Sequence, residues 1–374
     1  MKSLTIPAAI ASLFVSSFVY AQTATPAPAT APAEDNGISF SGYVETSYNH
    51  LSQGNKYTSG VPDRAFDLEK DGFAVRQVAF TLSKQAKEGF GGLLNVTAGK
   101  DADVLNAFGA GAGHNNKFDM TQVYGQYATG PFSIIAGKFV TLAGAEVNTS
   151  PSNPNFSRSY LFQLGPYTHT GVRATYAAND TLNLILGANQ GWDNFKETNG
   201  AKTLEYGLSY APSKTLSLTA SGYTGKERVG GWVESGPEGT RNLWDVVGVY
   251  NATDKLTYTI DAAYGSQANA TLPNGSTGTA KWSGIAGYAS YQISDQWRLS
   301  ARVEDFDDQD GYRTGVAQNL KEGTLTLGYL PAKAIEIRAE VRGDYSNVAS
   351  FSNPSGTSAS KSNKSFGLQA LYKF

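Results

Sequence analysis

Segments in which apolar and polar residues alternate with period two recur along the chain from Ile38 to its end. One of the clearest places apolar side chains at five alternate positions: Leu256, Tyr258, Ile260, Ala262 and Tyr264. This alternation indicates β-strands with one apolar face. No segment in this part of the sequence offers the about 20 consecutive apolar residues of a transmembrane helix. The pattern therefore predicts an all-β chain, either a soluble β-protein or a closed transmembrane β-barrel.

We count sixteen predicted strands. Five have a clear apolar face and contain residues 216–218, 256–264, 325–329, 335–341 and 366–374. The other eleven are weaker and lie near residues 38–49, 73–84, 91–99, 119–128, 131–139, 169–177, 181–190, 203–211, 240–250, 281–292 and 296–305. In the fourth and fifth strands, the sequence leaves open which face is apolar.

The connections between predicted strands alternate between short and long. The short ones have the Gly, Pro, Asn and Asp chemistry of turns and include residues 86–89, 129–131, 178–180, 211–214, 251–254, 294–295 and 331–333. The others are expected to run for about 12 to 30 residues, for example at 51–71, 100–118, 140–168 and 346–364. Outer-membrane barrels combine short periplasmic turns with long extracellular loops. The alternation therefore favours the transmembrane barrel over the soluble protein.

Proline and tyrosine positions agree with this arrangement. All 14 prolines fall outside the predicted strands, and Pro131, Pro212 and Pro331 fall at tight turns. Seven tyrosines lie beside the short turns or at the matching place near the C-terminus: Tyr127, Tyr176, Tyr210, Tyr250, Tyr291, Tyr329 and Tyr372. We interpret them as an aromatic girdle at one membrane boundary. The predicted fold is a closed antiparallel transmembrane β-barrel of about sixteen strands.

The N-terminus predicts export. Lys2 precedes an apolar stretch from Leu4 to Val19, and Val19-Tyr20-Ala21 resembles a cleavage site with small residues, so residues 1–21 are interpreted as a signal peptide. A short membrane anchor is the alternative. Residues 22–37 are rich in Ala, Thr and Pro and are expected to form a flexible leader, followed by a barrel domain at 38–374.

Composition excludes several other functions. The net charge is −2, with 30 Lys and Arg against 32 Asp and Glu, which gives no basic excess for nucleic-acid binding. There is no cysteine, and the three histidines, His50, His114 and His169, show neither metal-ligand spacing nor a nucleophile motif. Acidic residues between Glu304 and Asp310 miss the register of a calcium loop. We therefore expect no enzyme activity, no cofactor and no metal site.

Charged residues alternate with apolar ones in two of the predicted strands. In the strand near 335–344, apolar residues face lipid, because a charge on that face costs about 2–4 kcal/mol for Arg or Lys at the membrane midplane. The residues then expected to face the interior are Arg298, Arg302, Glu304, Glu336, Arg338, Glu340, Arg342 and Asp344. These charges form either a wall that orders solutes by sign or an ion-pair ladder that stiffens the barrel, and the two are compatible.

The predicted connection at residues 140–168 is the longest. Glu146 is its sole acid and Arg158 its sole base. We predict that the loop folds inward as a constriction lined by Glu146 and Arg158. The expected wall partners are Arg173, Arg302, Arg338 and Arg342. An outward surface loop is the alternative.

Several motifs resemble a known family. The segments 137–139, 144–146, 153–159 and 168–173 are similar to the β-barrel porin family with OmpL-like members, as are residues 302–311 and the strand with Arg338, Glu340, Arg342 and Asp344. Tyr372-Lys373-Phe374 resembles the aromatic-terminated strand that the barrel-assembly machinery recognises. The resemblance implies a Gram-negative outer membrane and contact with its lipids and lipopolysaccharide.

The sequence thus predicts an outer-membrane porin for passive diffusion of ions and small hydrophilic solutes. A homo-trimer is compatible with this prediction, and the sequence does not decide ion preference. The alternative is a barrel closed by its loops that acts as an adhesin or surface receptor.

Overall fold

The computed structural model describes residues 37–66, 69–108, 117–228 and 237–374. Sixteen antiparallel strands form a closed barrel. The barrel strands are β1 (Ser39–Leu51), β2 (Gly72–Lys84), β3 (Gly89–Ala98), β4 (Phe118–Thr129), β5 (Phe132–Val140), β6 (Thr168–Asn179), β7 (Leu182–Asn189), β8 (Thr203–Tyr210), β9 (Leu216–Arg228), β10 (Glu238–Thr253), β11 (Leu256–Thr271), β12 (Thr277–Ser294), β13 (Trp297–Asp308), β14 (Gln318–Ala332), β15 (Ile335–Ser346) and β18 (Ser362–Lys373).

The remaining elements lie in the connections. Two short strands, β16 (Phe351–Ser352) and β17 (Ala359–Ser360), pair with each other outside the barrel sheet. The described residues also form two α-helices, α1 (Lys100–Leu105) and α2 (Tyr160–Leu164), and a short 3-10 helix at Ser150–Ser152. None of these helices has the length and apolar character of a membrane-crossing helix, and no other described helix does.

The first and last strands close the barrel. β1 pairs with β18 in antiparallel register, with Tyr43 opposite Lys373. At the chain end, Gly42 and Phe374 exchange backbone hydrogen bonds of 2.8 and 3.0 Å. Gly42 makes this approach possible, because a Cβ there would lie 2.6 Å from the Phe374 ring. The predicted strand number, antiparallel order and closure are confirmed.

Two details of the predicted connections are wrong. The connections at residues 272–276 and 309–317 are shorter than the expected 12 to 30 residues. The strands beside them, β11 to β14, extend beyond the apolar alternation with polar outward residues such as Lys281. Pro331 lies inside β14, not in the turn. It falls where the β14–β15 register shifts between Tyr329 and Ala332, and such an irregularity tolerates the missing N–H of proline.

The two faces of the barrel have opposite chemistry. On β13, Val303 is 64% exposed on the outer face, whereas its neighbour Arg302 is 1% exposed on the inner face. On β15, Ile337 and Val341 point outward between charged inward residues. β5 has one clear exception, because Ile134 points outward and Ile135 points inward with Arg173 opposite it. An apolar exterior is what a barrel in lipid requires, and the charged side chains of β13 and β15 lie in the interior.

The tyrosines that we singled out lie on the outer face beside the short turns. Six of them are exposed: Tyr127, Tyr176, Tyr210, Tyr250, Tyr291 and Tyr372, while Tyr329 is half-buried. Other rings pack beside them, with centroid distances of 4.9 Å for Phe90–Tyr127 and 4.6 Å for Trp297–Tyr329. The outer face therefore carries a band of aromatic rings at the short-turn end.

An arginine on the outer face should destabilise this barrel more than one on the inner face. We predict that Val303→Arg lowers the free energy of unfolding by about 2–4 kcal/mol, because the guanidinium would sit in hydrocarbon. Thr175→Arg, on the half-buried inner face of β6, is the matched control and should cost much less. Urea unfolding in lipid vesicles measures both, and equal losses would contradict the assignment of the faces.

Candidate functional site

The connection between β5 and β6, residues 141–167, lies inside the barrel. We call it the inner loop. Its Glu146 forms an ion pair of 2.7 Å with Arg302 of β13, and Asn155 Nδ2 donates a 2.7 Å hydrogen bond to Thr326 Oγ1 of β14. Near its tip, Ser150 Oγ is 3.2 Å from Gln369 Nε2 of β18. The loop therefore crosses the lumen and is attached to several strands of the wall.

Carboxylates on the wall hold the backbone of the inner loop. Glu340 of β15 accepts hydrogen bonds from the N–H groups of Phe156 and Ser157, at 2.7 and 3.0 Å. Glu304 of β13 accepts two more from Tyr160 and Leu161, both at 2.7 Å. The second pair caps the first turn of α2, whose N–H groups have no partner within the helix. Two predicted interior carboxylates thus each bind two successive amides of the loop.

Two aspartates attach the beginning of the inner loop to the adjoining wall. Asp245 of β10 accepts the Gly144 N–H at 2.9 Å, and Asp261 of β11 accepts the Ala145 N–H at 2.8 Å. We did not single out either aspartate in the sequence. Both occupy inward positions of their strands, although only the strand with Asp261 alternates clearly in the sequence, so a systematic list of inward charges would have included at least Asp261.

The predicted arginines of β13 and β15 form an ion-pair ladder on the inner wall. Arg302 donates from Nε to Glu322 at 2.5 Å, in addition to its contact with Glu146. Arg342 pairs with Asp344 at 2.7 Å and donates to the Arg158 carbonyl at 2.6 Å. Closer to the short turns, Glu336 pairs with both Arg298 and Arg338, the latter at 2.7 Å. Ion pairs and loop contacts thus occupy the same guanidinium groups.

Arg173 lies on the opposite wall, away from Glu146. It forms a bidentate ion pair with Glu205 of β8 and donates from Nη2 to the Val140 carbonyl at 2.9 Å. Its guanidinium carbon is 4.3 Å from the centre of the Phe139 ring. It therefore fixes the strand that leads into the inner loop rather than the loop centre.

Glu146 and Arg158 are less accessible than a channel lining requires. They are 2% and 3% exposed. Arg158 Nη1 donates to the Phe156 carbonyl at 3.1 Å, and its guanidinium lies 5.6 Å from the Phe162 ring centre. Within the described parts of the chain, no carboxylate lies within 4 Å of Arg158. The exposed residues of the inner loop are Thr149 and Ser152, which carry no charge.

The two histidines that the structure describes have no arrangement typical of catalysis. His169 is fully buried, stacks on Tyr223 at 4.6 Å, and its Nδ1 is 3.0 Å from the Gly191 carbonyl. His50 contacts Asp71 at the exposed end of β1, and His114 lies outside the described residues. The described residues include no group of three or more potential metal ligands.

Asp193, in the connection between β7 and β8, holds the end of the inner loop. Its Oδ1 accepts the N–H groups of Tyr167 and Thr168 at 2.9 and 2.8 Å. Burial raises the pKa of Asp193 to about 6, although these two backbone hydrogen bonds act in the opposite direction. The folded protein therefore binds a proton at the Asp193 carboxylate more tightly than the unfolded chain does.

The raised pKa of Asp193 predicts how the stability of the folded protein depends on pH. The contribution of protonated Asp193 to the free energy of unfolding is fully present below the pKa of the unfolded chain, near 4, and is lost as the pH rises through about 6. Asp193→Asn keeps the acceptor oxygen and removes the titration, so its unfolding free energy should vary less between pH 4 and 6 than that of the natural protein. Denaturant unfolding across this range measures the slope, and an unchanged slope would contradict the assignment.

Removing Arg302 should cost more stability than removing Arg298. Arg302→Met leaves Glu146 and Glu322 buried with fewer partners, which we expect to cost roughly 3–5 kcal/mol. Arg298→Met is the matched control, because Glu336 keeps Arg338 as a partner, and it should cost about 1 kcal/mol. Unfolding free energies in vesicles test this order. Equal costs would show that Arg302 does not hold the inner loop.

Comparisons with solved structures place the fold among outer-membrane channels. The outer membrane channel DcaP of Acinetobacter baumannii is similar with a TM-score of 0.62 and 15% identity, covering 90% of this chain and 97% of that one. The anion-selective porin from Comamonas acidovorans has a TM-score of 0.60 and 12% identity, and the match covers 90% of this chain and 99% of that one. The trimer form of OmpT from Vibrio cholerae has a TM-score of 0.58 and 15% identity, and the match covers 91% of this chain and 100% of that one.

No curated protein matches the chain in sequence. The family described as beta-barrel porin-2, OmpL-like, in contrast, matches residues 37–374, which is the entire barrel. The resemblance seen in the sequence motifs is confirmed. The chain is a member of the beta-barrel porin-2, OmpL-like family of outer-membrane β-barrels.

Proposed function

We propose that this protein is a passive porin whose conductance is set by the inner loop. The observation that supports this most directly is the position of residues 141–167, which cross the interior of a closed barrel with an apolar outer face. A channel is the function expected of a porin fold, and nothing in the described site is arranged for catalysis. Ions and small hydrophilic solutes would pass down their gradients.

The interior differs in packing along its length. At the short-turn end, inward residues such as Ser41, Gln126 and Ser133 are exposed or half-buried. Farther up, the inner loop packs against buried wall residues such as Val247 and Trp282. We infer a wide vestibule on the periplasmic side that narrows at the inner loop. The exposed Thr149 and Ser152 would then face the solute.

In this proposal, the predicted interior charges act mainly as supports. Glu304 and Glu340 hold the backbone of the inner loop, and Arg302, Arg338 and Arg342 neutralise the acids around it. A loop held at many points keeps a fixed opening, which is what a size limit requires. The charged wall would still bias which ions enter the narrow part.

Targeting to the outer membrane is part of the same proposal. Residues 1–21 would be removed as a signal peptide, and residues 22–37 would remain as a short leader. The terminal strand ending at Phe374 would be recognised by the barrel-assembly machinery. The apolar outer face and its tyrosine girdle would contact outer-membrane lipids and lipopolysaccharide.

A homo-trimer is the assembly that we propose. The structural neighbours include OmpT of Vibrio cholerae in a trimer form. Cross-linking in native outer membranes would test this. A single band at the mass of the monomer, under conditions that cross-link a known trimer, would contradict it.

Shortening the inner loop should raise the conductance. We predict that deletion of residues 144–158 increases the single-channel conductance severalfold in a planar bilayer, because it removes the segment that crosses the lumen. Deletion of 354–357, in the exposed connection between β16 and β17, is the control and should leave conductance unchanged. The natural protein should give stable, ohmic steps.

Two outcomes would overturn the proposal. Unchanged conductance after the 144–158 deletion, in a protein whose heat-modifiable mobility shows a folded barrel, would remove the inner loop from the ion path. Electrical silence of the folded natural protein would instead favour a barrel closed by its loops, with a binding function at the cell surface.

A further inference from the structure

Two arginines at the extracellular end of the interior have no carboxylate within 4 Å among the residues that the structure describes. Arg241 of β10 donates from Nε to Gln267 Oε1 at 2.7 Å and from Nη2 to the Tyr312 hydroxyl at 3.1 Å. Arg313, in the connection between β13 and β14, donates from Nη2 to the Leu164 carbonyl at the end of α2. Its Nε is buried and has no hydrogen-bond acceptor there.

Three aromatic side chains surround these guanidinium groups. Trp192 has Arg241 at 5.0 Å and Arg313 at 5.8 Å from its ring centre, and Trp282 has Arg313 at 5.4 Å. Tyr312 stacks on Trp282 with centroids 5.7 Å apart and an interplanar angle of 26°. We call these five residues the arginine cage. Aromatic faces stabilise a cation without neutralising its charge.

The position of Trp282 in β12 depends on a glycine in the neighbouring strand β11. A Cβ at Gly265 of β11 would lie only 2.1 Å from the Trp282 indole. The indole therefore lies against the wall, and it is perpendicular to the Trp192 ring, with an interplanar angle of 88° and a centroid distance of 6.3 Å. The wall, and not only the loops, is thus shaped to hold the arginine cage.

The arginine cage differs from the arginine sites that pair with wall carboxylates, and it resembles Arg158 in having no carboxylate within 4 Å among the described residues. Arg76, Arg173 and Arg302 each have a carboxylate within 3 Å. In the cage, by contrast, the acceptors of the described residues are carbonyl, amide and hydroxyl oxygens, and the acids Glu227 and Asp308 act on the two arginines without forming an ion pair within 4 Å. Burial and repulsion by the neighbouring Arg241 lower the pKa of Arg313, although Tyr312 and Asp308 act in the opposite direction. An anion between the two guanidinium groups would remove the repulsion between them.

We propose that the arginine cage is a binding site for small carboxylate anions in the extracellular mouth of the channel. A guanidinium group presents N–H donors in a planar fork that matches a carboxylate. Arg313 and Tyr312 are half-buried, so a solute from the mouth reaches them without unfolding the wall. This inference rests on the proposed porin function and adds to it a substrate class.

Binding is tested directly on the folded, detergent-solubilised protein. Trp192 and Trp282 belong to the cage, so tryptophan fluorescence should change and saturate during titration with sodium acetate. Sodium chloride at equal ionic strength corrects for salt effects. Arg313→Gln should raise the Kd for acetate roughly tenfold, because one charge-assisted contact is lost. Lys321→Gln, which removes a charge from the exposed outer face, is the control and should leave the Kd unchanged.

Channel recordings separate this inference from the proposed function. With a binding site, single-channel conductance in potassium acetate should saturate with concentration, and Arg313→Gln should make it closer to linear. Linear conductance in the natural protein, together with no saturable fluorescence change, would overturn the acetate site while leaving the porin intact. Saturable acetate binding by a folded protein that gives no channels would uphold the site and contradict the porin function.

Discussion

A loop inside a barrel must find acceptors for its backbone N–H groups, because the strands around it have already paired theirs with each other. In this protein, wall carboxylates provide them. Glu340 and Glu304 each accept two successive amides of the inner loop, and Asp245 and Asp261 accept one each. The path of the loop across the lumen therefore depends on acids at inward positions of four strands.

The arginine ladder adds ion pairs to these hydrogen bonds on the side of β13, β14 and β15. Arg302 contacts both Glu146 of the loop and Glu322 of β14, so it joins the loop to the wall at a single point. These ion pairs connect the arginine ladder of the wall to the inner loop that narrows the lumen. Stiffening of the wall and placement of the loop, which the sequence presented as separate interpretations, share the same guanidinium groups.

The sequence predicted the barrel well because strand alternation is a local property. The sixteen strands and the inward charges of β15 follow from period two, since a one-residue slip would place Arg338 in lipid. The prediction was less accurate where contacts are not local. Arg158, which we predicted in the constriction, is buried near Phe162, and nothing in its neighbours along the chain reveals that contact. Arg313 is likewise positioned by Trp282 and Leu164, which are distant in sequence.

The measurement that tests the position of the inner loop most directly uses the lack of native cysteine. A single Ser152→Cys variant places a thiol on the exposed tip of the inner loop, and Ser355→Cys places one on the exposed β16–β17 connection. Modification by a charged, membrane-impermeant thiol reagent should reduce the current through single Ser152→Cys channels and leave Ser355→Cys channels unaffected. Unchanged current through Ser152→Cys channels whose complete labelling is shown by mass spectrometry would contradict the account.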